Sequence, residues 1–267
     1  MSSTDSTQTR KTALITGASG GIGYELARIF AREGYNLVLV ARTESKLAQI
    51  KSDFEKKHGI SVKVLAKDLA EPAAPQEIFS ELQGASIGVD ALVNNAGFTV
   101  YGPFAETGLQ KELELLQVNI VALTHLTKLF LPGMLEKGWG KVLNVASTAA
   151  FQPGPLMACY YASKAYVLYF SEALAAELEG KGVTVTALCP GPTETGFQKR
   201  GNMEDSKLVA GRKIMDARTV AKAGYRALMK GQPVVIPGLR NWVMAEAIRF
   251  MPRRMVARIV GQAQEKV

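Results

Sequence analysis

"TALITGASGGIGYELA", residues 12–27, passes from a short apolar run through four glycines into a helical pattern. A continuous rather than alternating apolar run suits a strand covered on both faces, as in a parallel sheet. Gly17, Gly21 and Gly23 fall at the turn from strand to helix, with Ser19 and Ile22 between them. Without side chains there, backbone N–H groups and the helix N-terminus can approach a pyrophosphate. Glycine-rich turns are common. The position of this one, after a first strand and before an amphipathic helix, makes it a dinucleotide-binding turn.

Six further runs of the same kind follow: "NLVLVA" (36–41), "SVKVLA" (61–66), "ALVNNA" (91–96), "KVLNVAS" (141–147), "VTVTALC" (183–189) and "PVVIPG" (233–238). Helix-length amphipathic segments separate them, several with a glycine near the end. The pattern predicts a doubly wound, Rossmann-type α/β fold: a seven-stranded parallel sheet with helices on both faces. Right-handed crossovers then place the ligand crevice along the C-terminal edge of the strands. No linker or internal repeat interrupts it. The expectation is a polar tail over 1–10 and a single domain over 11–267.

Composition narrows the function classes. The chain has 267 residues, 47% hydrophobic and 21% charged, which is ordinary for a soluble globular protein. The opening "MSSTDSTQTRK" has no apolar stretch behind it, so no secretory signal is expected. The longest apolar candidate, "NIVALTHLTKLFLPGML", contains His125, Lys128 and Pro132 and reads as a buried helix. Cys159 and Cys189 show no metal-ligand spacing, so no metal is expected and a reducing cytoplasm fits. The net charge of +8 reads as solubility or as attraction to an anionic ligand, an acidic partner or a membrane surface. It comes with no zinc-finger signature or aromatic-interleaved basic stripe, which excludes nucleic acid.

The end of the second strand selects the dinucleotide. An acid there grips the ribose 2′-OH of NAD, whereas a nearby arginine accommodates the 2′-phosphate of NADP. Here Ala41 leaves room for a phosphate, Arg42 offers a permanently charged fork, and Lys46 follows one helical turn on. The cofactor expected is NADP(H). Asp68, past the third strand, is a candidate adenine contact or a helix cap.

A hydride cofactor supplies electrons, and a carbonyl then needs a proton donor. In "CYYASKAY" (159–166) a helix sets Tyr160 and Lys164 at i and i+4, while Tyr161 is i+3 to the same lysine. A nearby ammonium is expected to pull a phenol down from its usual pKa of about 10, which makes either tyrosine useful as acid or base. A Ser–His–Asp hydrolase finds no support, because His58 and His125 are the only histidines and Ser147 lies outside any G-x-S-x-G turn.

"TGASGGIG" (16–23), "NNAG" (94–97) and "YYASK" (160–164), in that order and spacing, resemble the short-chain dehydrogenase/reductase family over roughly residues 11–238. The resemblance implies a Tyr-x-x-x-Lys pair, so Tyr160 takes the acid/base role and Tyr161 the variable position. It assigns Ser147 to the substrate carbonyl oxygen, Asn119 to a water-mediated proton relay through Lys164, and Lys164 also to the nicotinamide ribose. Asn94, Ala96 and Gly97 resemble the family's cofactor-adjacent turn, with Asn95 mainly structural. Pro190, Gly191, Thr193 and Thr195, in "CPGPTET", resemble its turn against the nicotinamide carboxamide.

The resemblance implies a lid over about 191–217, whose later part begins "GFQKRGNMED" at 196. Phe98, Phe151, Pro153 and Met157 are candidates for the opposite wall. The tail over about 240–264 puts Trp242, Met244, Ile248, Met251, Met255 and Ile259 in an apolar stripe interleaved with arginines. It resembles an extension seen in some bacterial short-chain reductases. Three readings stand for it: packing on the body or a partner subunit, shaping the substrate mouth, or lying on an anionic membrane. The functional expectation is an NADPH-dependent reductase of a small-molecule ketone or aldehyde, working as a homodimer or homotetramer. The alternatives are a 3-oxoacyl-carrier-protein or 3-oxoacyl-CoA reductase and a non-catalytic NADP(H) sensor.

Overall fold

The computed structural model describes residues 10–197 and 214–265. All seven predicted runs form strands of one sheet. In chain order they are β1 (Thr12–Thr16), β2 (Asn36–Ala41), β3 (Val62–Ala66), β4 (Ala91–Asn94), β5 (Gly140–Val145), β6 (Val183–Leu188) and, after two short strands, β9 (Val234–Val235). Two-residue strands β7 (Thr193–Glu194) and β8 (Met215–Asp216) pair with each other outside that sheet. The sheet order is β3-β2-β1-β4-β5-β6-β9, with every pairing parallel. Chain direction along the sheet therefore reverses between β1 and β4, the place where such sheets open a ligand crevice.

The continuous apolar runs follow from burial on both faces. In β1, Ala13 and Ile15 point into one core with α1 (Gly21–Arg32) and α2 (Glu44–His58). Leu14 points into the other, with α3 (Ala74–Gly84) and a long helical segment before β5. All five β1 residues are buried, so no position is free to be polar in the alternating way of a one-sided sheet.

That long segment is α4 (Leu109–Leu116), one turn of π-helix at Gln117–Ala122, and α5 (Leu123–Glu136). It is apolar and long enough to cross a membrane by composition. Within the fold, Val118, Ala122, Leu126, Phe130 and Met134 are buried in the core, as the sequence led us to expect. The helix after β5, α6 (Ala158–Glu177), carries a buried stripe from Tyr160 through Lys164, Val167 and Ser171. Helix α7 (Ala217–Lys230) packs beside α1, and α8 (Leu239–Ala247) and α9 (Arg253–Gln264) complete the chain.

The inner edge of the C-terminal extension is held by burial. Val256 and Val260 join Leu115, Met157, Tyr160 and Tyr161 in a separate apolar cluster. Each such valine contributes about 1.5–3 kcal/mol. Of the expected lid, 198–213 lies outside the described residues, as does 1–9 of the expected tail.

Candidate active site

One large cleft of about 1830 Å³ runs along the C-terminal edge of the sheet. It exceeds the ~300–1,000 Å³ of a single small-ligand pocket and so has room for two ligands side by side. Ser19, Gly21 and Ile22 line one end with Arg42, Lys46 and Asp68, and Ser147, Tyr160 and Lys164 line the middle.

At Gly17 and Gly23 the geometry leaves no place for a side chain. Gly17 has a φ of +65°, and a Cβ on it would lie 2.7 Å from Asn95 Nδ2. A Cβ on Gly23 would lie 2.4 Å from the Gly17 carbonyl oxygen, which is how closely α1 approaches the turn. The turn is braced from β4: Asn95 Nδ2 donates to the Thr16 carbonyl at 2.9 Å, and Thr16 Oγ1 accepts from the backbone N–H of Asn95 and Ala96 at 3.0 Å each. Thr195 packs on Gly21 from the other side, and Gly20 opens α1 with no side-chain cap. Free N–H groups at a bare helix N-terminus fit a dinucleotide pyrophosphate.

Asn94 departs from its expected place. Its side chain is buried, donating to Asn144 Oδ1 at 2.9 Å and Thr127 Oγ1 at 3.0 Å, and Asn144 Nδ2 continues to Ser171 Oγ at 2.9 Å. Successive strand residues point to opposite faces, so Asn94 ties β4 to β5, α5 and α6 inside the core while Asn95 reaches the cleft. Ala96 and Gly97 line the cleft as expected.

At the adenosine end, Arg42 stands mostly exposed, its guanidinium 3.8 Å from Asp68. Asp68 also accepts the Ala70 N–H at 3.0 Å, so it caps its own loop as well as facing the cleft. Lys46 follows on α2.

The two adjacent tyrosines part company. The Tyr160 phenol lines the middle of the cleft with Ser147, whose hydroxyl is near enough to act on it. Ser147 is placed by its own backbone duties: it caps the short turn Thr148–Phe151, accepting the Ala149 N–H at 3.1 Å, and donates to the Pro190 carbonyl at 3.4 Å. Tyr161 turns away. Its ring lies on Gly154, where a Cβ would come within 2.2 Å of it, and its hydroxyl meets the side chain of Gln264.

Lys164, one turn along α6, is 5% exposed and donates to the Val145 carbonyl at 2.8 Å. Burial lowers its ammonium to about 8. The Tyr160 phenol, expected to be pulled down by that ammonium, is instead pushed up to about 12 by burial, with the Ser147 hydroxyl acting against the rise. The lysine nitrogen sits 5.7 Å from the Tyr160 ring centroid and is directed at a carbonyl, so desolvation wins.

Asn119 stands in the π-helical turn, 1% exposed. Its side chain accepts the Phe98 N–H at 3.2 Å and donates to the Phe98 carbonyl and Ser163 Oγ, both at 3.1 Å. These bonds hold the Gly97–Phe98 segment; a Cβ on Gly97 would lie 3.0 Å from Asn119 Oδ1 and 3.5 Å from Lys164 Nζ. Thr193 donates to the Gly191 carbonyl at 2.9 Å, and Thr195 accepts the Phe197 N–H at 3.2 Å. Pro190, Gly191, Thr193 and Thr195 all line the cleft.

On the substrate side Tyr101, Ala245 and Gln264 are residues that the sequence did not single out, whereas Phe98 and Met157 line it as expected. Tyr101 donates to the Gln264 carbonyl at 2.6 Å, and the Gln264 side chain reaches Tyr161. Met244, Ala245 and Ile248 of the extension line the same wall, with Phe98, Met157 and Phe197. Phe151 and Pro153 stand outside that lining. Of the three readings of the tail, packing on the body and shaping the mouth are the two that this arrangement combines. The expected apolar stripe ran through Met255 and Ile259, which the structure leaves exposed; the buried row of α9 is Val256 and Val260, one position on, and no pattern pointed at Gln264.

The family model described as short chain dehydrogenase matches residues 11–206. A very-long-chain 3-oxoacyl-CoA reductase of Pyrenophora tritici-repentis is 37% identical over 253 residues, 91% of this chain and 72% of its own length. A short-chain dehydrogenase from Sphingobium yanoikuyae in complex with NADPH has a TM-score of 0.80 at 33% identity, covering 90% of this chain and 94% of that one. The bulky-bulky ketone specific alcohol dehydrogenase from Comamonas testosteroni gives 0.76 at 30% identity, over 90% and 92% of the two chains. The chain therefore belongs to the short-chain dehydrogenase/reductase family, whose sheet and glycine turn it shares, and is an oxidoreductase using a nicotinamide dinucleotide.

Proposed function

We propose that the chain is an NADPH-dependent carbonyl reductase with Tyr160 as its proton donor. The observation that carries this reading is the placement of Ser147, Tyr160 and Lys164 together in the middle of the cleft, with Arg42 at the far end. Arg42, with Lys46 beside it, favours the 2′-phosphorylated dinucleotide, since Ala41 offers no carboxylate to repel it. The glycine turn and the bare N-terminus of α1 hold the pyrophosphate, and Thr193 and Thr195 face the nicotinamide end.

When bound, the cofactor supplies the hydride that reduces the carbonyl carbon. Tyr160 gives its phenolic proton to the carbonyl oxygen, and Ser147 donates a hydrogen bond to the same oxygen as charge develops there. A phenol held near 12 is protonated at neutral pH, the form that reduction requires. Lys164 keeps its charge below about 8 and offers its remaining N–H groups beside Gly97, where a ribose hydroxyl fits. Asn119 keeps Gly97 and Phe98 in place beneath it.

Two observations favour a 3-oxoacyl thioester as a second reading of the substrate. One is the name carried by the Pyrenophora relative. The other is the apolar wall of Phe98, Met157, Phe197 and Ile248, which suits an acyl chain.

Loss of reduced-nicotinamide absorbance across ketones, aldehydes and 3-oxoacyl thioesters tests the function, with Tyr160→Phe as control. Turnover that disappears in the variant supports the reading, and the responding carbonyl names the class. Tight NADPH binding with no turnover of any carbonyl would leave a non-catalytic cofactor sensor instead.

A further inference from the structure

The extension that closes the cleft has an outer side that the reaction does not use. Between α8 and α9 the chain turns at Pro252, and Phe250 stands 89% exposed, more than any other large hydrophobic side chain among the described residues. Arg249, Arg253 and Arg254 flank it, all exposed. On α9 the inner positions Val256, Val260 and Gln264 are buried, while two neighbouring outer rows, Arg254 with Arg258 and Met255 with Ile259, face solvent. On α8, Leu239 and Trp242 are exposed in the same mixture with Arg240. Residues 239–265 contain five arginines, two glutamates and no lysine or aspartate, and Glu246 already pairs with Arg249 at 3.3 Å.

We propose that this face docks on the surface of an anionic lipid bilayer. Charge and polarity decide between occupants. A two-fold contact between copies would set the same arginines against each other. An acidic soluble protein would answer the arginines but leave Phe250 and Trp242 in water. A lipid surface answers both: its phosphates take the arginines, and the headgroup–acyl boundary takes the aromatic and aliphatic side chains. The inner side of the same element lines the cleft through Met244, Ala245 and Ile248, so docking holds the substrate mouth beside the lipid. That consequence rests on the reductase reading. The docking itself does not.

The test uses the full chain and vesicles of phosphatidylcholine, alone or with about a third phosphatidylglycerol. Trp139→Phe leaves Trp242 as the only tryptophan. Expected are co-sedimentation with the anionic vesicles only, release at high salt, and a blue shift of the Trp242 emission on binding. The variant Arg253→Ser/Arg254→Ser/Arg258→Ser should weaken binding on the order of a hundredfold, at about tenfold or less per arginine, and Phe250→Ser should remove much of the remainder. Unchanged thermal unfolding shows that both variants are folded, and intact NADPH binding separates loss of docking from loss of the cofactor site. Equal binding to neutral and anionic vesicles, no binding at all, or wild-type binding by the arginine variant overturns the proposal. So does a dimer in solution that Phe250→Ser splits without any vesicle binding.

Discussion

Gln264, in the last turn of α9, donates its side-chain amide to the Tyr161 hydroxyl across 103 residues of chain. Its main-chain carbonyl accepts the Tyr101 hydroxyl at 2.6 Å. One residue of the extension thus meets two walls of the substrate side, and one of its partners is the neighbour of Tyr160. Gln264→Leu removes a buried partner and is expected to cost about 1–2 kcal/mol, read from urea unfolding. Tyr161→Phe/Gln264→Leu should cost less than the two single changes summed, because both delete the same contact. If the bond also sets the shape of the mouth, KM for bulky carbonyls rises in Gln264→Leu while kcat for small ones holds. Strictly additive losses would show that the two residues do not act together.

Tyr160 and Tyr161 differ in what their hydroxyls meet, and turnover should follow that difference. Tyr160→Phe removes the proton donor, and loss of a positioned acid lowers rate by about 10²–10⁴. NADPH binding should survive, since the glycine turn and Arg42 are untouched. Tyr161→Phe should retain most of its kcat. Ser147→Ala is expected to fall by about 10²–10³, the usual effect of losing one donor to a developing oxyanion. A dead Tyr161→Phe beside an active Tyr160→Phe would reverse the assignment.

Arg42 makes a loose, exposed ion pair with Asp68, 3.8 Å away, which opposes its turning to a phosphate only weakly. A charge-assisted hydrogen bond contributes about 1.5–3 kcal/mol, and Arg42→Ala should weaken NADPH by roughly 10–100-fold while leaving NADH nearly unchanged. Ala41→Asp should go further and favour NADH, by placing a carboxylate where the 2′-phosphate sits. Titration of both dinucleotides against both variants checks this. Equal losses for NADPH and NADH would mean that Arg42 does not read the phosphate.

What could be read from the chain divides by distance along it. The seven strands were legible because burial on both faces leaves a continuous apolar run, as in Leu14 between Ala13 and Ile15. The glycine turn and the four-residue step from Tyr160 to Lys164 were legible because local geometry alone brings those groups together. Asn94 and Asn95 were not, because the face each takes depends on the phase of the pleat at the end of β4. Lys164 was placed correctly beside Tyr160, yet the direction of the Tyr160 shift was missed: spacing shows that a charge is near and does not show how dry the phenol is. The Asn119 side chain turned out to be engaged with Phe98 and Ser163, contacts 21 and 44 residues away. Gln264 was invisible for the same reason, on a larger scale.

The buried Lys164 gives a stability signature that needs no substrate. Its ammonium falls from 10.5 to about 8 on folding, chiefly through burial. Between those values the unfolded chain holds a proton that the folded chain has released, so stability rises with pH across the window. Tyr160 acts in the opposite sense, but only between 10 and about 12, where the folded chain keeps a proton that the unfolded chain loses. Cys189, which burial raises from 9.0 to about 12, acts in that opposite sense from 9 upward, and Lys141, lowered by burial, acts with Lys164, so the lysine is read as the difference from a variant that lacks it. Urea unfolding of the wild type and of Lys164→Met, taken from pH 7 to 10, should show the wild type gaining about 2 kcal/mol relative to the variant. A difference that stays flat, or falls with pH, would mean that Lys164 keeps its charge in the folded chain and that water reaches it.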